Sequence, residues 1–227
     1  MYQFWGDTSM KDKLELFFNK YRENFSEEEM EYVYENMENF LNGGTHIDLL
    51  AQIAYAIGEK PQNGDLYEQY FSFLKNHYDL NGDILEVGCG MYPAFAAMID
   101  EYQQKSNKGT IEVYDPLIIT SKLGRIKINK SEFDSESDIK KFSLVTSIFP
   151  CRVSMDIVEK ACKEDKDFSI LMCECVPGQY NFQMMSSNYW QDFIYRSAKS
   201  RCRDTREVGI DYIDKVYTPI IYSKRKR

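Results

Sequence analysis

Ile84-Leu85-Glu86-Val87-Gly88-Cys89-Gly90-Met91-Tyr92-Pro93 reads as a strand, a glycine turn and the opening of a helix. Ile84 to Val87 is a short apolar run with the turn signal Asn81-Gly82 ahead of it and glycines behind it, the pattern of a buried parallel strand. Gly88 and Gly90 open backbone angles closed to other residues and let a ligand approach the main chain. Pro93 has the fixed φ suited to a first helical turn, and the apolar run Ala94 to Ile99 follows it. In an open α/β sheet such a turn lies at the carboxyl edge of the strands, where free amides and the positive end of a helix dipole meet a ligand. The expected ligand site is therefore this turn.

A dinucleotide fingerprint, G-x-G-x-x-G, would need a third glycine at position 93, where this chain has Pro93. The buried acid two residues before the first glycine, Glu86, gives another match. ILEVGCG resembles motif I of the class I S-adenosylmethionine-dependent methyltransferases, apolar-apolar-acid-apolar-G-x-G-x-G, at seven positions. Tyr92 departs from it, standing where that family most often has its last glycine. The resemblance implies that Glu86, Gly88, Cys89, Gly90 and Tyr92 line the place of the cofactor, S-adenosyl-L-methionine.

From residue 80 onward, strands alternate with helices, which argues for a mainly parallel sheet. Thr110 to Tyr114 reads as the second strand, ending at Asp115-Pro116. An acid there, some way beyond the glycines, is placed to accept hydrogen bonds from both hydroxyls of a ribose. Arg125 to Ile128 reads as the third strand and Phe142 to Ile148 as the fourth; Phe168 to Cys175 is the fifth. A helix is expected over Tyr189 to Arg201, then an antiparallel pair, Arg206 to Ile213 and Lys215 to Tyr222. The resemblance, which covers roughly residues 80–222, implies a seven-stranded Rossmann-like sheet flanked by helices, with six strands mostly parallel and a seventh inserted antiparallel. It further implies adenine contacts from the loop after the third strand, among Glu132, Phe133 and Asp134, and cofactor contacts from Pro116 and Ser147.

The fourth strand runs into Ile148-Phe149-Pro150-Cys151, which matches the [DN]-P-P-[YF] signature of methyltransferases acting on exocyclic amines of adenine or cytosine in one position of four. Pro150-Cys151 resembles the Pro-Cys of the cytosine-C5 enzymes, but a chain of 227 residues has no room for their long recognition domain. Neither reading is favoured.

Residues 1–79 read as a helical cap or lid, ahead of an S-adenosylmethionine-binding domain over 80–227. Ser9 to Asp12 opens a helix carrying Met10, Leu14, Phe17, Phe18 and Tyr21. Ser26-Glu-Glu-Glu29 is a capping box ahead of Met30, Val33 and Met37. Thr45 opens a third helix that closes at Gly58, and Leu66, Tyr67, Tyr70, Phe71, Leu74 and Tyr78 mark a fourth. Aromatic stripes of this kind are usually core, and some of them are candidates to cover the site and exclude water.

A hydrophobic share of 43% supplies a core, and no apolar run approaches the length that spans a bilayer. The start, MYQFWGDTSMKDK, lacks a signal peptide's apolar core, so a cytoplasmic protein is expected. Cysteines 89, 151, 162, 173, 175 and 202, with only His46 and His77, lack metal-site spacing; free thiols and no metal are expected. The net charge of −8 is unevenly spread: residues 1–60 carry −7 and residues 179–227 carry +5. The basic end reads as a solvated helix face and terminus rather than a surface for duplex nucleic acid.

Methyl transfer from a sulfonium is an in-line displacement with an already activated donor, so no fixed catalytic triad is expected. Glu174, Tyr92 and Tyr180 are candidates for a general base, each with an ordinary reading as packing, and no catalytic residue is assigned. The expected activity is methylation of a small-molecule acceptor, with no membrane partner. Two alternatives are aminocarboxypropyl transfer of the nicotianamine-synthase kind, motivated by Met91-Tyr92-Pro93 beside the methionine moiety, and a non-catalytic binding module.

Overall fold

The computed structural model describes residues 10–35, 66–173, 187–202, 204–212 and 216–224. Helices α1 (Met10–Lys20), α2 (Glu27–Glu35) and α3 (Leu66–His77) precede the sheet. There follow β1 (Ile84–Val87), α4 (Ala94–Ser106), β2 (Ile111–Tyr114), β3 (Lys127–Asn129), β4 (Leu144–Ile148), α5 (Ser154–Lys163), β5 (Asp167–Leu171), α6 (Ser187–Arg201), β6 (Thr205–Tyr212) and β7 (Val216–Ser223). The expected helix over 45–58 lies outside the described residues.

The seven strands lie in the order β3-β2-β1-β4-β5-β7-β6. β1 to β5 pair in parallel, while β7 runs antiparallel to both of its neighbours, so six strands share a direction and β7 alone opposes them. The sheet is thus mixed, with the inserted seventh strand that the resemblance to class I methyltransferases implies. The strand order reverses between β1 and β4, and ligands of open α/β sheets bind at such a reversal. Every residue of β1, β4 and β5 is buried, as central parallel strands covered on both faces must be.

Alternation along β1 assigns the two faces. Ile84 joins a core with Phe17, Val33, Tyr70, Leu74 and Phe95, whereas Leu85 and Val87 join one with Ile157, Val158, Trp190 and Ile194. One face is therefore covered by α1 to α4 and the other by α5 and α6. α3 is bolted to the sheet by polar tips on apolar bodies: the Tyr70 hydroxyl meets the Ser169 carbonyl at 2.8 Å and Thr146 Oγ1 at 2.9 Å, and the Tyr78 hydroxyl meets the Phe168 carbonyl at 2.9 Å. The Ser26 box forms as its sequence demands. The Ser26 amide donates to Glu29 Oε2 at 2.9 Å and the Glu29 amide to Ser26 Oγ at 3.1 Å, opening α2.

Two expectations need correction. The third strand lies at Lys127–Asn129, displaced toward the C-terminus, because Leu123 and Ile126 first close a small antiparallel bridge. Not all cysteines are free thiols: Cys162, on α5, and Cys202, just past α6, are joined by a disulfide with Cα atoms 5.6 Å apart. Packing of α5 against α6 brings together two residues that are 40 apart in the chain. Disulfides persist in oxidising compartments, so this bond and the expected cytoplasmic location pull in opposite directions.

Candidate active site at the carboxyl edge of the sheet

β1 ends at Val87, and Gly88 (φ 70°) and Gly90 (φ 73°) both take the left-handed conformation that a side chain would strain. Gly88 stays tied to the sheet, donating its amide to the Tyr114 carbonyl at 2.9 Å. The chain then turns into α4 at Pro93. From the end of β2, Asp115 reaches back across this turn. Its Oδ2 accepts the Gly90 amide at 2.9 Å and its Oδ1 accepts the Leu117 amide at 2.8 Å, so one carboxylate fixes two loops and each oxygen keeps a lone pair. Burial raises its pKa, opposed by those amides and by the charge of Arg152.

Glu86, two residues before the first glycine, is buried, and alternation along β1 puts it on the face of Ile84, the one that carries Tyr70. Burial pushes its carboxyl up to about 8, with the backbone of Ala96 in the first turn of α4 pulling the other way and Asp115 pushing further up. A protonated carboxyl there donates as well as accepts. Its Oε2 has no hydrogen-bond partner among the described residues, a condition buried oxygens rarely tolerate without a ligand or water.

The remaining expected contacts separate into those at the opening and those locked in packing. Pro116 borders a cleft of about 700 Å³ with Met91, Leu117, Tyr32 and Lys130, between α2 and the loop after β2. Glu132 forms an exposed ion pair with Arg152, joining the loops after β3 and β4. Phe133 is buried, edge-on to Tyr114. Ser147 is fully buried and donates its hydroxyl to the Val87 carbonyl, bracing the end of β1 rather than facing open space. Cys89 is buried and its thiol is pushed well up by burial, the opposite of an activated nucleophile. Tyr92 packs its ring among Phe17, Tyr21 and Phe25. Glu174 and Tyr180 lie outside the described residues.

The sequence reading missed Arg152, whose charge bears on Asp115 and whose guanidinium holds Glu132. It follows β4 in a short 3-10 turn, Cys151–Val153, and no local pattern marks it. In the sequence Tyr70 is one residue of an apolar stripe, yet its hydroxyl reaches β4 and β5. Among the described residues no group of three or more His, Cys, Asp and Glu side chains is placed to hold a metal ion, and no helix is long and apolar enough to cross a membrane.

No protein-family model matches the sequence, and no curated protein matches it. Among solved structures the chain is similar to the N-methyltransferase NodS from Bradyrhizobium japonicum WM9, at 12% identity over 71% of this chain and 97% of that one, with a TM-score of 0.45. It is similar to a mutant of MtNAS in complex with S-adenosylmethionine, at 9% identity over 93% of this chain and 72% of that one, with a TM-score of 0.48. It is also similar to human N-acetylserotonin methyltransferase in complex with SAM, at 15% identity over 94% of this chain and 67% of that one, with a TM-score of 0.44. At such scores these likenesses add nothing to the strand order and the glycine turn.

Proposed function

We propose that this chain is an S-adenosylmethionine-dependent methyltransferase that acts on a small-molecule acceptor. The observation that carries the reading is the clamp of Asp115 on the Gly90 amide, at the point where the order of the parallel strands reverses. The residues there fit the cofactor in three respects. Two left-handed glycines leave the main chain open to close approach. Both oxygens of Asp115 retain acceptor capacity for a ribose diol. Glu86 offers an unsatisfied carboxyl oxygen beneath the turn.

The bound cofactor would supply a methyl group already activated on a sulfonium. The protein's own residues then have to bind, orient and exclude water. Asp115 holds the turn through the Gly90 amide and Glu86 reaches the Ala96 backbone at the start of α4, while α1 and α2 stand over the turn as a lid. Support for the lid comes from Tyr92 packing into α1 and α2's Glu29 accepting hydrogen bonds from Ser121 and Lys130. The acidic N-terminal region and Glu28 at the cleft favour an acceptor carrying an amine.

Product analysis tests the reaction class. Incubation with S-adenosylmethionine and a panel of amine-bearing acceptors is expected to release S-adenosylhomocysteine. Release of 5′-methylthioadenosine instead would replace methyl transfer by aminocarboxypropyl transfer.

A further inference from the structure

Two cysteines outside the roles assigned above meet at the carboxyl edge of the sheet. The loop after β4 bends sharply, with Phe149 (φ 54°) and Cys151 (φ 45°) both left-handed on either side of Pro150. The bend brings Cys151 Sγ to 3.5 Å from Cys173 Sγ, two residues beyond β5. Neither sulfur is in a disulfide; Cys151 is half-buried and Cys173 buried. The two exits are already laced together, since the Phe149 amide donates to the Leu171 carbonyl at 2.8 Å and Gln191 of α6 holds the Cys173 carbonyl at 3.0 Å. Pro150, in the middle of this bend, borders the glycine turn: a Cβ added to Gly88 would stand 3.5 Å from Pro150 Cα, at ordinary van der Waals distance.

We propose that Cys151 and Cys173 are a reversible dithiol–disulfide pair, and that its state sets how well the adjoining glycine turn holds its ligand. Bonding needs the sulfurs to close by about 1.5 Å, to a separation of about 2.0 Å. That movement draws the loop toward β5 and shifts Pro150, the neighbour of Gly88 in the glycine turn. With hydrogen peroxide as oxidant, the half-buried Cys151 sulfur gives up its proton and takes one peroxide oxygen as the O–O bond breaks, releasing water. Cys173, losing its own proton, then displaces hydroxide from the Cys151 sulfenic acid, and proton and hydroxide leave as a second water. Two S–H bonds are lost, one S–S bond forms, and two electrons pass to the peroxide.

The affinity half of this proposal rests on the reading of the turn as the S-adenosylmethionine site; the bond itself does not. The full chain, reduced and then treated with hydrogen peroxide, is mapped by mass spectrometry of non-reduced peptides and titrated with S-adenosylmethionine. A Cys151–Cys173 peptide pair is expected after peroxide only, with affinity lowered at least about fivefold, within the usual range of coupling between sites. Cys151→Ser and Cys173→Ser, each checked for folding by circular dichroism, should keep the reduced-state affinity and lose the peroxide response. No linkage, or linkage to Cys175 instead, overturns the pair, and linkage with unchanged affinity overturns the coupling. A reduced chain that binds no S-adenosylmethionine removes the affinity half together with the proposed function, while the peptide map still decides the bond.

Discussion

The ring of Tyr92 stands edge-on to the ring of Phe17, with centroids 4.9 Å apart and planes at 89°. The residue that departs from the glycine motif is thus the one that holds α1 against the turn. Phe17 is itself fully buried, so Phe17→Ala leaves a cavity and should cost about 3–5 kcal/mol of stability. Denaturant titration checks this, and a loss below about 1 kcal/mol would mean that α1 is not docked there.

Glu29 joins α2 to the sheet edge as well as capping its own helix. Burial raises its pKa, but hydrogen bonds from Ser121, the Ser26 backbone and Lys130 outweigh this and leave it lowered. A carboxylate with a lowered folded pKa stabilises the fold above its unfolded value, and that contribution is lost as pH falls through the folded value. Glu29→Ala should therefore cost about 0.5–2 kcal/mol at neutral pH, the usual worth of a cap, and much less in acid. Equal losses at both pH values would show that its charge does not matter.

Glu86 has the opposite sign. Its folded pKa of about 8 stands above the unfolded value, so the folded chain binds the extra proton and stability falls as pH rises from about 4.5 to about 8. Glu86→Gln, neutral throughout, should remove that slope. Thermal unfolding of both proteins at several pH values decides it; parallel curves would mean that Glu86 is charged in the fold.

The sequence made β1, the glycine turn and the β6–β7 pair legible because each is local: an apolar run, a pair of glycines, an alternation broken by Asp214. α5 is less legible: Ser154–Lys163 has an apolar face of Ile157, Val158 and Ala161, but no side chain caps its start to mark where it opens. Asp115 was legible as a strand-end acid, but its bond to the Gly90 amide was not. The Cys162–Cys202 bond, the reach of Tyr70 and the position of Arg152 depend on packing between distant segments, which leaves no periodic trace in the chain.

The basic end should not bind duplex nucleic acid. Arg196 pairs with Asp192 and Arg201 with Glu159, so two of its cations already have carboxylate partners. Weak binding with a shallow salt dependence is expected in a fluorescence titration. A fall in affinity of about a thousandfold between 50 and 200 mM salt, the sign of several phosphate contacts, would overturn this.

Calorimetric titration of S-adenosylmethionine into the wild-type chain and Asp115→Ala tests the central claim most directly. The wild type should bind, and Asp115→Ala should lose on the order of 2–4 kcal/mol, allowing for two charge-assisted hydrogen bonds with some replacement by water. That is roughly a 30- to 1,000-fold weaker dissociation constant. Because Asp115 also holds the Gly90 amide, circular dichroism must show the variant folded. No heat of binding in the wild type, or an unchanged affinity in a folded Asp115→Ala, would contradict the assignment of this turn as the S-adenosylmethionine site.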